Sequence, residues 1–297
     1  MSNASLFEGL TAFPITPTDE HYRVDTELLG RLLERLCYAG VDSIGFLGST
    51  GIYAYLTLDE RKRALAVAIE VVKGRVPIIV GVGALRTDDA VELATHARTS
   101  GADAVLMAPM SYTPLMDDEA YQHYRAVAAA ADLPLCIYNN PGTTHFSFNI
   151  ALLEKLSRIE QIEAVKMPLP NGANFTEELA ILRERTNLKI GYSGDWGMVD
   201  AMLGGADAFY SVLGGTLPSP TVAVMRAAQA GRIEEARKLG NALEPVWNTF
   251  KSYGSIRVMY AIVEILGLGR TVPPRPILPL DPDARSRVET AIMSLQS

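Results

Sequence analysis

The chain has 297 residues, with 34 acidic and 27 basic side chains and a formal net charge of −7. No cluster of Lys and Arg supplies the basic face that phosphate backbones require, which argues against nucleic acid as a partner. With 48% hydrophobic and 21% charged residues, the composition is that of a globular protein and excludes disorder and low complexity.

Eight short apolar runs alternate along the chain with segments of helical periodicity. The predicted strands are Leu10–Ile15, Ser43–Leu47, Val76–Val82, Ala104–Ala108, Leu133–Tyr138, Ile162–Met167, Leu188–Tyr192 and Ala208–Val212. The predicted helices are Asp25–Ala39, Leu58–Val72, Asp88–Ser100, Asp117–Ala131, Asn149–Ser157, Thr176–Arg185, Trp196–Leu203 and Pro220–Ala230. Thr57, with Glu60 three positions later, predicts a capping box at the start of the second helix.

The spacing of the strands is that of βα units in a parallel sheet, and their nearly continuous apolar character indicates that both faces are covered. We therefore predict an α/β fold, a closed (β/α)8 TIM barrel over residues 1–230. A doubly wound sheet is the alternative, but it normally has only about five or six strands. From residue 231 to 297 the pattern is helical only, which predicts a C-terminal helical extension packed on the barrel as part of one structural unit.

The N-terminal residues and the two cysteines bear on the compartment of the protein. Residues 1–6 lack the basic and apolar segments of an export signal, and no apolar run approaches the ~18 residues that span a membrane. Cys37 and Cys136 lie far apart in the sequence, each among apolar residues. This pattern is typical of buried thiols in a reducing compartment. We expect a cytoplasmic protein with no membrane partner.

The active site of such a barrel lies where the carboxyl ends of its strands meet. Polar groups stand at four of the predicted strand ends: Gly48-Ser49-Thr50-Gly51, Tyr138-Asn139-Asn140, Lys166 and Ser193-Gly194-Asp195. These four segments converge on one candidate site.

Lys166 is the strongest clue among them. Strand alternation places it on the face of Ile162 and Ala164, towards the barrel interior. A lysine in apolar surroundings loses the solvation of its charged form, and the neutral amine can attack a carbonyl to give a Schiff base. The alternative is a lysine that reaches the surface from a strand end.

Two neighbours suit the same chemistry. Tyr138 ends the adjacent strand, where a phenol can move protons to and from a carbinolamine. Ser49 and Thr50, flanked by Gly48 and Gly51, offer two hydroxyls and closely spaced N–H groups that suit a carboxylate or phosphate oxygen. An ordinary βα turn is the alternative interpretation of that tetrapeptide, and a core tyrosine that of Tyr138.

The ordered set of motifs resembles the dihydrodipicolinate synthase and N-acetylneuraminate lyase superfamily. It consists of Pro14-Ile15-Thr16-Pro17, Gly48-Ser49-Thr50-Gly51, Tyr-Asn-x-Pro from Tyr138, Lys166 and Ser193-Gly194-Asp195. The resemblance runs through essentially the whole chain. It implies a class I lyase that forms a Schiff base with pyruvate or another 2-oxo acid and works as a homodimer or homotetramer.

The same resemblance implies roles for individual residues. Lys166 matches the imine-forming lysine, and Tyr138 matches the proton-relay tyrosine. Ser49 and Thr50 match the pair that holds the carboxylate of the 2-oxo acid and passes protons on. Tyr210 matches the position whose backbone carbonyl faces the bound 2-oxo acid.

Several positions depart from the synthase of this superfamily. Ile52 stands where the motif has Glu, and Thr143 stands where the synthase has an arginine that binds the carboxylate of aspartate semialdehyde. The second relay tyrosine, donated across the dimer, is Ser111 here, with Tyr112 beside it as a substitute. Losing the arginine removes a bidentate carboxylate donor.

Other groups are secondary candidates. Asp195 follows strand seven and is expected either to contact substrate hydroxyls or to cap a helix. The four histidines form no ligand cluster, so we expect no metal site and no cofactor.

The leading hypothesis is an aldolase, or a dehydratase of a 2-keto-3-deoxy sugar acid. Three alternatives remain: the lysine-biosynthetic synthase itself; a metal-dependent barrel or one whose Gly204-Gly205 and Gly214-Gly215 bind phosphate; and a non-catalytic sensor of 2-oxo acids.

Overall fold

The computed structural model describes residues 6–295, with the backbone alone at position 173. Eight parallel strands pair in sequence order, and the first pairs with the last to close a barrel. The strands are β1 Gly9–Ala12, β2 Ser43–Phe46, β3 Ile78–Gly81, β4 Ala104–Met107, β5 Leu135–Tyr138, β6 Ile162–Pro168, β7 Lys189–Ser193 and β8 Ala208–Ser211. The (β/α)8 TIM barrel predicted from the sequence is confirmed, and the doubly wound sheet is excluded.

Helices surround the barrel and continue beyond it. They are α1 Thr26–Ala39, α2 Leu58–Val72, α3 Thr87–Ser100, α4 Asp117–Ala131, α5 Pro141–Thr144, α6 Ile150–Leu156, α7 Phe175–Arg185, α8 Met198–Leu203, α9 Pro218–Gln229, α10 Ile233–Tyr253, α11 Ser255–Ile265 and α12 Pro282–Met293. Helix α10 packs against α8 and α9, and α12 packs against α10 and α11. The C-terminal helical part is therefore present, while the division between residues 230 and 231 stays a prediction.

Two apolar layers stabilise the fold. The larger lies between the strands and the helices and contains the inward stripe of α1, with Leu28, Leu29, Leu32, Leu33 and Leu36. The smaller fills the barrel interior with residues such as Phe13, Leu106, Cys136, Ala164 and Tyr210. Burial on both faces explains why the strands are apolar throughout.

The capping box expected at α2 forms only in part. The Thr57 side chain accepts a hydrogen bond from the Glu60 N–H, as predicted. The Glu60 carboxylate instead accepts from the Val24 N–H at 2.6 Å. A long-range partner in the segment before α1 therefore replaces the local one.

Neither end of the chain is described in full. The segment at residues 1–5, which belongs to the predicted N-terminus, and residues 296–297 lie outside the described residues. Within residues 6–295, none of the helices is both long and apolar enough to cross a bilayer.

Candidate active site

Lys166 and Tyr138 are direct register partners on β6 and β5. Both side chains are buried, at 3% and 8% exposure, and the Lys166 Nζ lies 4.0 Å from the centre of the Tyr138 ring. The strand pairing predicted from the sequence thus brings the amine and the phenol together at the carboxyl end of the barrel. The alternative of a lysine reaching the surface is excluded by its burial.

Strand alternation is correct for Ala164 and Lys166 but wrong for Ile162. The register between β5 and β6 shifts, since Leu135 pairs with Ile162 whereas the next residue, Cys136, pairs with Ala164. The extra residue, Glu163, makes an irregularity that turns Ile162 into the outer layer. Ala164 remains with the barrel interior.

Aromatic rings enclose the Lys166 amine. Its Nζ lies 3.9 Å from the centre of the Phe13 ring and 5.6 Å from that of Tyr210. Among the described residues, the ammonium group has neither a carboxylate within ion-pair distance nor a hydrogen-bond acceptor. A cation over ring faces is attracted by their quadrupoles, yet the nitrogen remains free to bond to a substrate carbon.

The Phe13 ring reaches Lys166 because two glycines leave room for it. A Cβ at Gly45 would lie 2.2 Å from this ring, and a Cβ at Gly48 would lie 2.6 Å from it. Phe13 also meets Tyr210 edge-to-face, with ring centres 6.2 Å apart. The sequence does not identify Phe13 as a site residue, because a phenylalanine beside Pro14 gives no signal that it turns into the barrel.

The turn after β2 presents unpaired donors. The N–H groups of Ser49, Thr50 and Gly51 donate to no acceptor in residues 6–295, and the hydroxyls of Ser49 and Thr50 have no partner there either. Leu47 and Ile52, on either side of the turn, have positive φ values of 52° and 54°. A β-branched residue rarely adopts this conformation, so backbone strain accompanies the nest of donors.

Tyr138 is oriented by its own loop. Its hydroxyl oxygen accepts a hydrogen bond from the Asn140 side-chain N–H at 3.0 Å. The phenolic proton is therefore left for another acceptor. Asn140 precedes the four-residue helix α5, which the sequence did not predict.

A cavity of about 220 Å³ opens beside these groups. Its lining comes from the segments after several strands and from α11, and consists of Ser49, Tyr53, Ala54, Tyr55, Ala108, Met110, Asn140, Thr143, Thr144 and Ile256. All ten lining side chains are uncharged. Lys166 and Tyr138 belong to the strands themselves, one layer further into the barrel.

The remaining predicted residues take different positions. Thr143 is exposed and lines the cavity, and its contact with substrate stays a prediction. The Ser111 hydroxyl donates to the Thr113 carbonyl, and Tyr112 is 98% exposed, so this chain does not bring either one to Lys166 by itself. The Tyr210 side chain lies in the interior layer, and the role of its carbonyl stays a prediction.

Asp195 lies behind the site. Its buried carboxylate accepts hydrogen bonds from the Ser211 hydroxyl and from the N–H groups of Val212 and Leu213, the latter two at 3.1 and 3.0 Å. Burial raises the pKa of Asp195, although these hydrogen bonds favour its charged form. The carboxylate holds the segment after β8, and this arrangement argues against the expected contact with substrate hydroxyls.

The glycine pairs suggested for phosphate binding have no free donors. The N–H groups of Gly204, Gly205 and Gly215 donate to backbone carbonyls, and that of Gly214 donates to the Ser211 hydroxyl. In the described part of the chain, no three His, Cys, Asp or Glu side chains are grouped to hold a metal ion.

Comparisons with known proteins agree with this geometry. Residues 6–295 match the model of the dihydrodipicolinate synthetase family. The 4-hydroxy-tetrahydrodipicolinate synthase of Gluconacetobacter diazotrophicus is 30% identical over 290 residues, 97% of each chain.

Two solved structures are similar over almost their full length. The crystal structure of a dihydrodipicolinate synthase from Agrobacterium tumefaciens is 55% identical, with a TM-score of 0.96 over 98% of this chain and 99% of that one. A chloride-inhibited dihydrodipicolinate synthase from Acinetobacter baumannii, complexed with pyruvate, is 28% identical with a TM-score of 0.90, over 98% and 99%.

Proposed function

Because the chain belongs to the dihydrodipicolinate synthetase family and is a lyase, we propose that Lys166 forms a Schiff base with pyruvate or another 2-oxo acid. The observation that carries the proposal is the Lys166 amine, buried among rings, without a carboxylate partner and paired with Tyr138. Membership of a lyase family argues against a non-catalytic sensor.

Each residue of the site contributes to a different step of imine formation. The unpaired donors of Ser49 and Thr50 bind the carboxylate of the 2-oxo acid, which places its C2 carbonyl before Lys166. The neutral amine attacks C2, and one of its protons passes to the new alkoxide to give a carbinolamine. Tyr138 then gives its proton to the carbinolamine hydroxyl, which leaves as water, so that the imine nitrogen keeps one proton and Tyr138 is left as a phenolate. The carbon-nitrogen double bond then joins Lys166 to the substrate.

The protonated imine withdraws electrons from the substrate. Loss of a C3 proton to the Tyr138 phenolate gives an enamine, and so does cleavage of the C3–C4 bond, in which the phenolate takes the C4 hydroxyl proton and an aldehyde leaves. In both cases the electrons of the broken bond form the C2–C3 double bond, and the nitrogen regains its lone pair. Protonation of the enamine carbon and hydrolysis of the imine return the product and the free amine. The rings of Phe13 and Tyr210 keep water away from this intermediate until then.

The cavity lining bears on the second part of the substrate. An uncharged lining with Thr143 at its rim has no counterion for a second carboxylate, whereas hydroxyl and amide groups suit hydroxyls. We therefore propose aldol cleavage or condensation, or dehydration, of a 2-keto-3-deoxy sugar acid.

A second candidate is 4-hydroxy-tetrahydrodipicolinate synthase, which condenses pyruvate with aspartate semialdehyde. The names of the relatives favour this candidate over the sugar acid. The pyruvate complex of the Acinetobacter enzyme supports the 2-oxo acid in either case. The two candidates share imine formation and differ only in the later steps of the reaction.

Turnover of the two substrates distinguishes the candidates. We expect kcat/KM with 2-keto-3-deoxygluconate to exceed that for condensation of pyruvate with aspartate semialdehyde by at least about tenfold. Thr143→Arg should lower the ratio of these two kcat/KM values, because the arginine supplies a bidentate donor for the carboxylate of aspartate semialdehyde. A higher kcat/KM for aspartate semialdehyde in the unaltered protein would establish the synthase instead.

Compartment and assembly complete the proposal. Cys37 and Cys136 are both free, which supports a reducing, cytoplasmic environment. We propose a homodimer or homotetramer, in which the fully exposed Tyr112 is available to a second copy.

A further inference from the structure

Tyr53 follows the donor turn directly and shares its cavity. It begins a short 3₁₀ turn, Tyr53–Tyr55, and is only 8% exposed. Its side chain lines the cavity together with Ser49 and Asn140. No sequence motif points to a role for Tyr53.

The ring of Tyr53 is held from two sides. The Arg61 guanidinium carbon lies 5.2 Å from the ring centre, and a Cβ at Gly83 would lie 3.5 Å from the ring edge. Arg61 is itself fixed, because it donates to the carbonyls of Gly81 and Gly83 at 2.8 and 2.9 Å. This packing determines the position of the phenol without any bond to its oxygen.

The hydroxyl of Tyr53 has no hydrogen-bond partner among residues 6–295. Burial raises the pKa of Tyr53, and the neighbouring Tyr138 raises it further, so the group remains a neutral O–H donor. A nearly buried donor that faces a cavity is satisfied by a ligand that brings an acceptor.

We propose that Tyr53 is a substrate-binding residue whose phenol donates a hydrogen bond to an oxygen on the substrate carbons beyond the 2-oxo group. This inference rests on the proposed Schiff-base function and deepens it, because it selects hydroxylated 2-oxo acids over their deoxy analogues. A site with an unpaired polar group rejects an analogue that lacks the matching oxygen.

The test compares two 2-oxo acids that differ by one hydroxyl, 4-hydroxy-2-oxobutanoate and 2-oxobutanoate. Borohydride trapping at Lys166, followed by mass spectrometry, gives the half-saturating concentration of each without requiring further turnover. The unaltered protein should favour the hydroxylated acid by about 10- to 100-fold. Tyr53→Phe should bring the two concentrations within about twofold of each other while it still traps 2-oxobutanoate, because the ring and its packing remain.

Tyr38→Phe is the matched control, since Tyr38 lies on α1 and is 84% exposed. It should keep the preference of the unaltered protein. Two results would overturn the role of Tyr53. In one, Tyr53→Phe prefers the hydroxylated acid as strongly as the unaltered protein does. In the other, the unaltered protein has no preference between the two acids. If the unaltered protein traps neither acid, the Schiff-base function fails and the inference fails with it.

Discussion

At the scale of single residues, the proposed chemistry depends on the Lys166 amine and the Tyr138 phenol. Lys166 is the proposed nucleophile, and no carboxylate among the described residues lies close enough to form an ion pair with its amine. Tyr138 accepts a hydrogen bond from Asn140, which leaves its own proton free for transfer. The unpaired donors of Ser49 and Thr50 are the proposed binding site for the carboxylate of the 2-oxo acid.

Tyr138→Phe should lower kcat by about 10²- to 10⁴-fold, because it removes the group that transfers protons and keeps the ring. Steady-state kinetics with the best substrate measures the loss. Tyr124→Phe is the control, since the buried Tyr124 hydroxyl donates to the Met107 carbonyl and faces the outer layer. It should lower the free energy of unfolding by about 1–3 kcal/mol and leave kcat within a few-fold. Equal kcat in the two variants would contradict the assigned role.

The sequence predicted Lys166, Tyr138 and the Ser49-Thr50 pair because each is a polar group at the end of an apolar run. It did not predict Phe13 or Tyr53, since their positions depend on contacts distant in the chain. Phe13 enters the barrel where Gly45 has no side chain. Tyr53 follows Ile52, whose left-handed backbone no local pattern indicates.

Among the elements, the segment after β8 depends on a carboxylate from the segment after β7. Asp195 accepts from Ser211, Val212 and Leu213, and it joins the ends of two adjacent strands close to Lys166. This link is structural, and the sequence did not predict it. The alternative role of Asp195 as a helix cap is wrong, because Gly194 and Gly197 precede the two helical segments here and the Asp195 carboxylate accepts from the segment after β8 instead.

Asp195→Asn should reduce the free energy of unfolding by about 1.5–3 kcal/mol, because a neutral amide accepts these hydrogen bonds more weakly and brings donors of its own. Urea unfolding followed by fluorescence measures the change. Asp200→Asn is the matched control on α8, where Asp200 forms a half-exposed pair with Arg237. That pair is worth at most about 1 kcal/mol. A loss in Asp195→Asn no larger than that of the control would contradict the proposed link.

The element boundaries deviate from the predicted ones for local reasons. Strand β1 ends at Ala12 rather than Ile15, because Pro14 has no N–H for the sheet and Phe13 turns inward. Within the helical extension predicted over residues 231–297, α10 and α11 are separated at Gly254, whose φ is 80°. Apolar periodicity located these elements, whereas the turn geometry determined where each one ends.

At the scale of the whole molecule, the net charge of −7 does not attract an anionic 2-oxo acid. The proposed function therefore depends on local capture, at the donors after β2 and at Lys166. The barrel closure was predictable because eight similar units leave no edge strand.

Light scattering coupled to size exclusion should give a solution mass of two or four times the 32.2 kDa of one chain. Tyr112 is 98% exposed, and Met116, in the same loop, is 68% exposed, so this loop is available for a subunit contact. Tyr112→Ser should shift the equilibrium towards smaller species. A monomer at all concentrations would contradict the proposed assembly.

The most direct test of Schiff-base chemistry at Lys166 is borohydride reduction of the protein in the presence of pyruvate. Peptide mass spectrometry should locate a reduced adduct of about 72 Da on Lys166, and Lys166→Ala should yield none. The assignment of Lys166 as the Schiff-base residue would be contradicted if the folded, unaltered protein formed no adduct. It would also be contradicted if Lys166→Ala formed the same amount of adduct as the unaltered protein.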